Sequence, residues 1–125
     1  MIHGTGIDIV EVKRIDSALQ RWGDRFAMRI FSRNEKEYCC KQNQPEIHFA
    51  ARFAAKEAFI KAIHSFNEEG IAFSDVEVMR TPTGIPTIAC HGTAQKAIEK
   101  ENIKKIFVSL AHTDNYAVAT VIMEK

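Results

Sequence analysis

No apolar run in the sequence is long enough to cross a bilayer, and the opening "MIHGTGIDIV" has neither the basic stretch nor the small-residue cleavage site of a secretory signal. A cytoplasmic protein with no membrane partner is predicted. Charge of one sign is also lacking: 17 Lys and Arg face 16 Asp and Glu, for a formal net charge of +1. That balance excludes a polyelectrolyte that coats nucleic acid, so any basic surface must be local. Cysteine is sparse and odd in number, with Cys39 and Cys40 adjacent and Cys90 far off. This pattern suits neither a disulfide framework nor a C-x-x-C zinc site, and predicts reduced, mostly structural thiols. The histidines at 3, 48, 64, 91 and 112 show no H-E-x-x-H spacing, and there is no P-loop, dinucleotide fingerprint or G-x-S-x-G elbow. Repeats, low-complexity tracts and linkers are missing as well.

What is present suits a single domain over residues 1–125, since 46% of the chain is hydrophobic. Residues 1–10 alternate as a strand does, and Val12, Ile15, Leu19 and Trp22 then fall at helical spacing as core positions. Gly23 ends or interrupts that helix, and "DRFAMRIF" continues with short helical character. Ser32, with Glu35 three residues on, marks a capped helix start. The longest helix is predicted over about 46–65, after Pro45, with termination by the polar "NEEG" and Gly70. "VEVMR" and "IPTIAC" read as strands around a "TPTG" turn, and a helix near 93–101 follows. "IFVSLAHT" and "YAVATVIM" form a hairpin about Asp114 and Asn115. The expected class is α+β, a small, largely antiparallel sheet packed on a long helix.

"FAARFAAKEAF" within that helix carries charge among alanines and phenylalanines. At 100° per residue, Ile47, Ala51, Ala54, Ala55, Ala58 and Ala62 make a face small enough for another backbone to come close. Phe49, Phe53 and Ile60 make a bulkier one. Glu57, Lys61 and His64 run between them, whereas His48, Arg52 and Lys56 form a separate basic strip that reads as a rim. By itself, Glu57 with Lys61 is an ordinary i, i+4 pair.

Asp8 adds a second carboxylate. In "IHGTGIDIV" it shares one strand face with Ile2, Gly4, Gly6 and Val10, and glycines inside a strand suggest close approach of a backbone or ligand. An Asp in that place also serves as an ordinary helix cap. Two carboxylates without His or Cys suit a hard cation such as Mg²⁺, with a lysine beside it to neutralise phosphate. The residues themselves thus point to a possible Mg-phosphate site and name no substrate.

Four segments carry a resemblance that does. "GTGIDIVEVKRI", "RFAAKEAFIKA", G-I-P at 84–86 and "VSLAHTDNYAVATV" resemble, in order, the motifs of the holo-acyl-carrier-protein synthases, the short, trimeric class of 4'-phosphopantetheinyl transferases. The resemblance implies the fold of that family and transfer of 4'-phosphopantetheine from coenzyme A to a serine of apo acyl carrier protein, in support of fatty acid biosynthesis. It implies Mg²⁺ held by Asp8 and Glu57, and Lys61 as a catalytic and phosphate-binding cation. Either Glu57 or a water on the ion would take the serine proton. Coenzyme A contacts are implied for Arg52, Lys61, Gly84, Pro86 and His112, and a lesser one for Ser109. Departures lie in "HSFNEEG", which lacks a glycine-rich loop, and at Ala111, where a hydroxyl residue is common.

Arg14 and Arg21, seven apart, share a helix face, and Arg25 and Arg29 extend the basic series. Composition alone makes this a solvated surface, whereas the resemblance makes Arg14, Arg21 and Arg25 the docking site of the acidic carrier protein. A homotrimer with sites between subunits is the implied assembly. Two other classes compete with this reading. An RNA-binding module lacks interleaved stacking aromatics, and in a purely structural trimer Glu57 would only fix subunit register.

Overall fold

The computed structural model describes residues 1–63 and 70–125. Strand β1 (Ile2–Glu11) leads directly into helix α1 (Val12–Trp22), followed by α2 (Asp24–Ile30), α3 (Arg33–Cys40) and the long α4 (Pro45–Ile63). A single 3₁₀ turn (Phe73–Asp75) opens β2 (Val76–Arg80), and β3 (Pro86–Cys90), α5 (Gly92–Lys100), β4 (Lys105–His112) and β5 (Tyr116–Glu124) complete the chain. The α+β class is as expected, but the strands form two sheets. One is antiparallel in the order β1-β5-β4, and the other is the hairpin β2-β3.

Local chemistry accounts for most boundaries. Ser32 accepts from the Glu35 amide at 3.2 Å, and the Glu35 carboxylate accepts from the Ser32 amide at 2.8 Å, a complete capping box. In "TPTG" the Gly84 amide donates to the Thr81 carbonyl at 2.8 Å, closing the turn, and Gly84 holds φ 89, a conformation that suits glycine. Thr113 and Tyr116 close the hairpin around Asp114 and Asn115. Helix α4 starts at Pro45 itself; its expected end at "NEEG", together with His64 and the departure at "HSFNEEG", falls mostly on 64–69 and lies outside the described residues. All three cysteines are free, with Cys39 buried; burial raises its thiol pKa to about 12.

Helix α4 lies across the three-stranded sheet. Its alanine face (Ala51, Ala54, Ala55, Ala58, Ala62) is buried with Val10, Ala117, Ala119, Val121 and Met123. Contact is closest at Gly6, where an added Cβ would stand 2.0 Å from the Ala58 carbonyl oxygen and 3.0 Å from the Ala62 nitrogen. The strand glycine thus makes room for a helix backbone, one of the two outcomes its position predicts.

Three expectations need correction. Trp22 is not core: Val12 and Ile15 are buried, but Trp22, the last residue of α1, is 54% exposed with the Arg21 guanidinium over its ring. Ile2 leaves the shared strand face, because the β1–β5 register shifts between Ile2 and Gly4. The strip containing Arg52 and Lys56 is not a solvent rim, since α3 and β2 pack over it and both side chains are buried. Lys56 pairs there with Glu35, with no exposure on either side chain.

The space at Gly6 yields a stability prediction. Gly6→Ala forces a methyl group into the Ala58 carbonyl, so it should cost about 1–3 kcal/mol as other overpacked cores do. A thermal or urea melt equal to that of the parent chain would show that α4 can move aside freely.

Candidate functional site

Asp8 sits on β1 at the level where α4 passes over the strand. Lys61 Nζ donates to Asp8 Oδ1 at 3.1 Å and to the Ile7 carbonyl at 2.9 Å. Lys61 therefore pairs across to the strand, and the simple pair with Glu57 expected from the i, i+4 spacing is not what the side chain forms. Glu57 is half-buried, one helical turn before Lys61. Burial raises its pKa first, the Asp8 charge raises it further, and Lys61 and Arg14 oppose both. Two carboxylates, one lysine and one arginine thus share a field at the β1–α4 contact. Lys61 supplies one positive charge to the carboxylate pair.

The arrangement fits a divalent ion on its own terms. Both carboxylates offer hard oxygen donors, and the repulsion between them, which adds to burial in raising the Glu57 pKa, is what a small doubly charged cation relieves. Asp8 and Glu57 are the residues that could hold it.

A second group surrounds Tyr38, which belongs to α3. The Arg52 guanidinium lies 4.2 Å from the Tyr38 ring centroid and that of Arg80 lies 5.6 Å from it. Although Arg52 is only 1% exposed, its Nε and Nη1 make no hydrogen bond. The rings of His48 and His112 are 6.0 Å apart. Desolvation lowers the His48 pKa, and the charges of Arg52, His112 and Arg80 lower it further, while Glu46 opposes them. A buried guanidinium without an acceptor is costly, so the free donors of Arg52 could serve an anion.

Gly84 joins this second group: Arg80 Nη1 donates to its carbonyl at 2.7 Å, and Pro86 begins the next strand. Ser109 lies instead on the exposed outer face of β4. Among the described residues no hydrogen bond or ion pair joins the Asp8 group to the Arg52 group. Residues 52 and 57 are five apart on α4, so they point about 140° away from each other around the helix.

Sequence reasoning placed His48 beside Arg52 on one strip but missed Tyr38 and Arg80 as neighbours of Arg52, and Glu35 as the partner of Lys56. For Glu35 a signal existed in Ser32-x-x-Glu35, but the capping box accounts for only part of what its carboxylate binds.

Arg14, Arg21 and Arg25 are all exposed. Arg25 and Arg29 line a groove with Trp22, Phe26, Met28 and Ile30 at the α1–α2 junction. Exposed apolar side chains next to arginines make this surface less ordinary than its composition suggests.

The chain is similar to known proteins over nearly its whole length. Residues 4–121 match the family model described as the 4'-phosphopantetheinyl transferase superfamily. A holo-[acyl-carrier-protein] synthase of Koribacter versatilis is 48% identical over 124 residues, covering 99% of each chain. The crystal structure of the holo-[acyl-carrier-protein] synthase of Neisseria meningitidis superposes with a TM-score of 0.90 at 31% identity, covering 100% of both chains. That of the Helicobacter pylori enzyme in complex with coenzyme A gives 0.84 at 28% identity, over 96% of this chain and 99% of the other. With the fold, the length and the sequence in agreement, the chain belongs to the holo-[acyl-carrier-protein] synthase family of the 4'-phosphopantetheinyl transferase superfamily.

Proposed function

We propose that the chain, as a single catalytic domain over 1–125, transfers 4'-phosphopantetheine from coenzyme A to a serine hydroxyl of apo acyl carrier protein. The observation that carries this reading is the juxtaposition of Asp8, Glu57 and Lys61 at one strand–helix contact, in a family whose relatives bear that activity in their names. The serine oxygen attacks the phosphorus that bears the pantetheine arm. A new P–O bond to serine forms, the bond to the 5'-phosphate breaks, and adenosine 3',5'-bisphosphate leaves.

The residues divide the work. The serine proton goes to Glu57 or to a water in the same site. Lys61 holds a phosphate oxygen as a point charge, and its bond to the Ile7 carbonyl keeps its head at the strand. When bound by Asp8 and Glu57, Mg²⁺ supplies neutralisation of the charge that builds on the leaving group. Arg52, Gly84, Pro86 and His112 bind the rest of coenzyme A, and the unbonded Nε and Nη1 of Arg52 are donors suited to its phosphate oxygens. The product serves fatty acid biosynthesis, in the cytoplasm; no helix among the described residues is long and apolar enough to cross a membrane.

Two further features support sites shared between copies in a homotrimer. The Asp8 and Arg52 groups lie on different faces of α4, so one chain presents two half-sites. The outer face of the three-stranded sheet exposes Ile7, Ile9, Phe107 and Ile122, apolar surface that a second copy would cover.

Each part of this reading is open to measurement. Asp8→Ala and Glu57→Ala should abolish Mg²⁺-dependent addition of the pantetheine mass to apo carrier protein while leaving the circular dichroism spectrum intact. Transfer that persists in chelator, or in either variant, would remove the metal site. Sedimentation equilibrium should give three times the chain mass, and a fully active monomer would contradict shared sites. For docking, Arg14→Glu or Arg21→Glu should raise KM for the carrier protein several-fold, flatten its salt dependence and leave KM for coenzyme A nearly unchanged. Variants that keep both the parental KM and the parental salt response would mean the carrier protein docks elsewhere.

A further inference from the structure

The buried pair of Lys56 and Glu35 lies outside the machinery described above, and it takes an unusual place in the fold. Strands β2 and β3 form a sheet of their own, with no hydrogen bond to β1-β5-β4. A two-stranded hairpin is marginal unless something holds it. The free edge of β2 presents the Val76 carbonyl and the Val78 amide on one side, as alternate residues of a strand do. Lys56 Nζ donates to the Val76 carbonyl, and Glu35 Oε2 accepts from the Val78 amide at 2.9 Å. Lys56 also donates to the Phe73 carbonyl at 2.9 Å and to Glu35 Oε1 at 2.8 Å. One cation and one carboxylate thus bond the strand edge as a neighbouring strand would.

From this geometry we infer that Lys56 and Glu35 are positioning residues, which fix hairpin β2-β3 on α4 and thereby set where Gly84 and Pro86 stand for coenzyme A. The inference rests on the reading of those two residues as cofactor contacts. Among the described residues, Lys56 makes the only polar tie between α4 and the 73–90 segment; the other ties, from Ser32 and Asn34 to Glu77 and from Glu35 to Val78, come from the start of α3. Beyond the root, the hairpin is internally braced. The Thr81 amide donates to the Ile85 carbonyl at 2.9 Å, the Ile85 amide donates to Thr81 Oγ1 at 3.1 Å, and Arg80 holds the Gly84 carbonyl. A braced tip moves with its root, so a shift at Val76 is carried to Gly84. Lys56 precedes Glu57 in α4, and the clamp therefore refers the hairpin to the same helix that carries Glu57 and Lys61.

The test uses the full chain in two forms, Lys56→Met and the double variant Glu35→Gln/Lys56→Met. The double variant removes both buried charges and keeps an amide oxygen for Val78, so it should regain thermal stability that the single variant loses. Calorimetric titration with coenzyme A alone, without carrier protein, should give a Kd raised about tenfold in both, which corresponds to about 1.4 kcal/mol of lost contact. KM for coenzyme A should rise with it, while kcat at saturation and Mn²⁺ affinity measured by electron paramagnetic resonance stay near parental values. A double variant with parental Kd and KM would overturn the inference, and so would failure of both variants to fold, which would assign the pair to folding as a whole. If the parent chain itself does not bind coenzyme A, the cofactor reading falls first and this inference with it.

Discussion

The separation between β1 and α4 governs everything else in the molecule. A carbonyl oxygen of the helix stands where a side chain at position 6 would begin, so strand and helix touch backbone to backbone. Such an approach needs glycine on one side and alanines on the other, and both are found. Asp8 follows Gly6 by two residues, hence on the same face, and Glu57 and Lys61 flank Ala58 on the helix. Because the two backbones are in contact, even short carboxylate arms come within reach of each other's charge. A leucine-lined interface of ordinary width would hold Asp8 and Glu57 apart, and the Asp8 contribution that adds to burial in raising the Glu57 pKa would fade.

Charge in this protein is sorted by burial more than by amount. Lys56 is entirely enclosed and meets a carboxylate and two carbonyls, a full set of acceptors for an ammonium group. Arg52 is nearly as enclosed and meets an aromatic face, which leaves polar edges unbonded. The first arrangement is complete and suits architecture; the second is incomplete and suits a ligand. Lys61, exposed and paired with Asp8, stands between these extremes.

How far the sequence could be read follows from which forces leave a periodic trace. Strand alternation in β1, the Ser32 capping box, the "TPTG" turn and the Asp114–Asn115 hairpin are local, and each was legible. The close approach of β1 to α4 at Gly6 was legible because a glycine strand and an alanine helix face each imply a close neighbour. Lys56 and Arg52 were not: helical periodicity tells which residues share a face but not whether that face is covered, and the partner of Lys56 lies 21 residues away in α3. Trp22 failed for the reverse reason, since apolar spacing continued past the point where α1 has anything to pack on. The resemblance to a family supplied the substrate, which no spacing could.

The order β1-β5-β4 puts the last strand of the chain in the middle of its main sheet. Until β5 has been made, β1 has no strand to pair with in that sheet, and neither does β4. During synthesis the alanine face of α4 would therefore wait for its floor, and pairing of Ile2 with Glu124 joins segments almost the whole chain apart. Contacts of that separation make for slow folding, with apolar surface bare in the meantime. The geometry that makes the site compact in space thus makes it late in time: Asp8 is made long before β5, and its strand is secured only once β5 arrives.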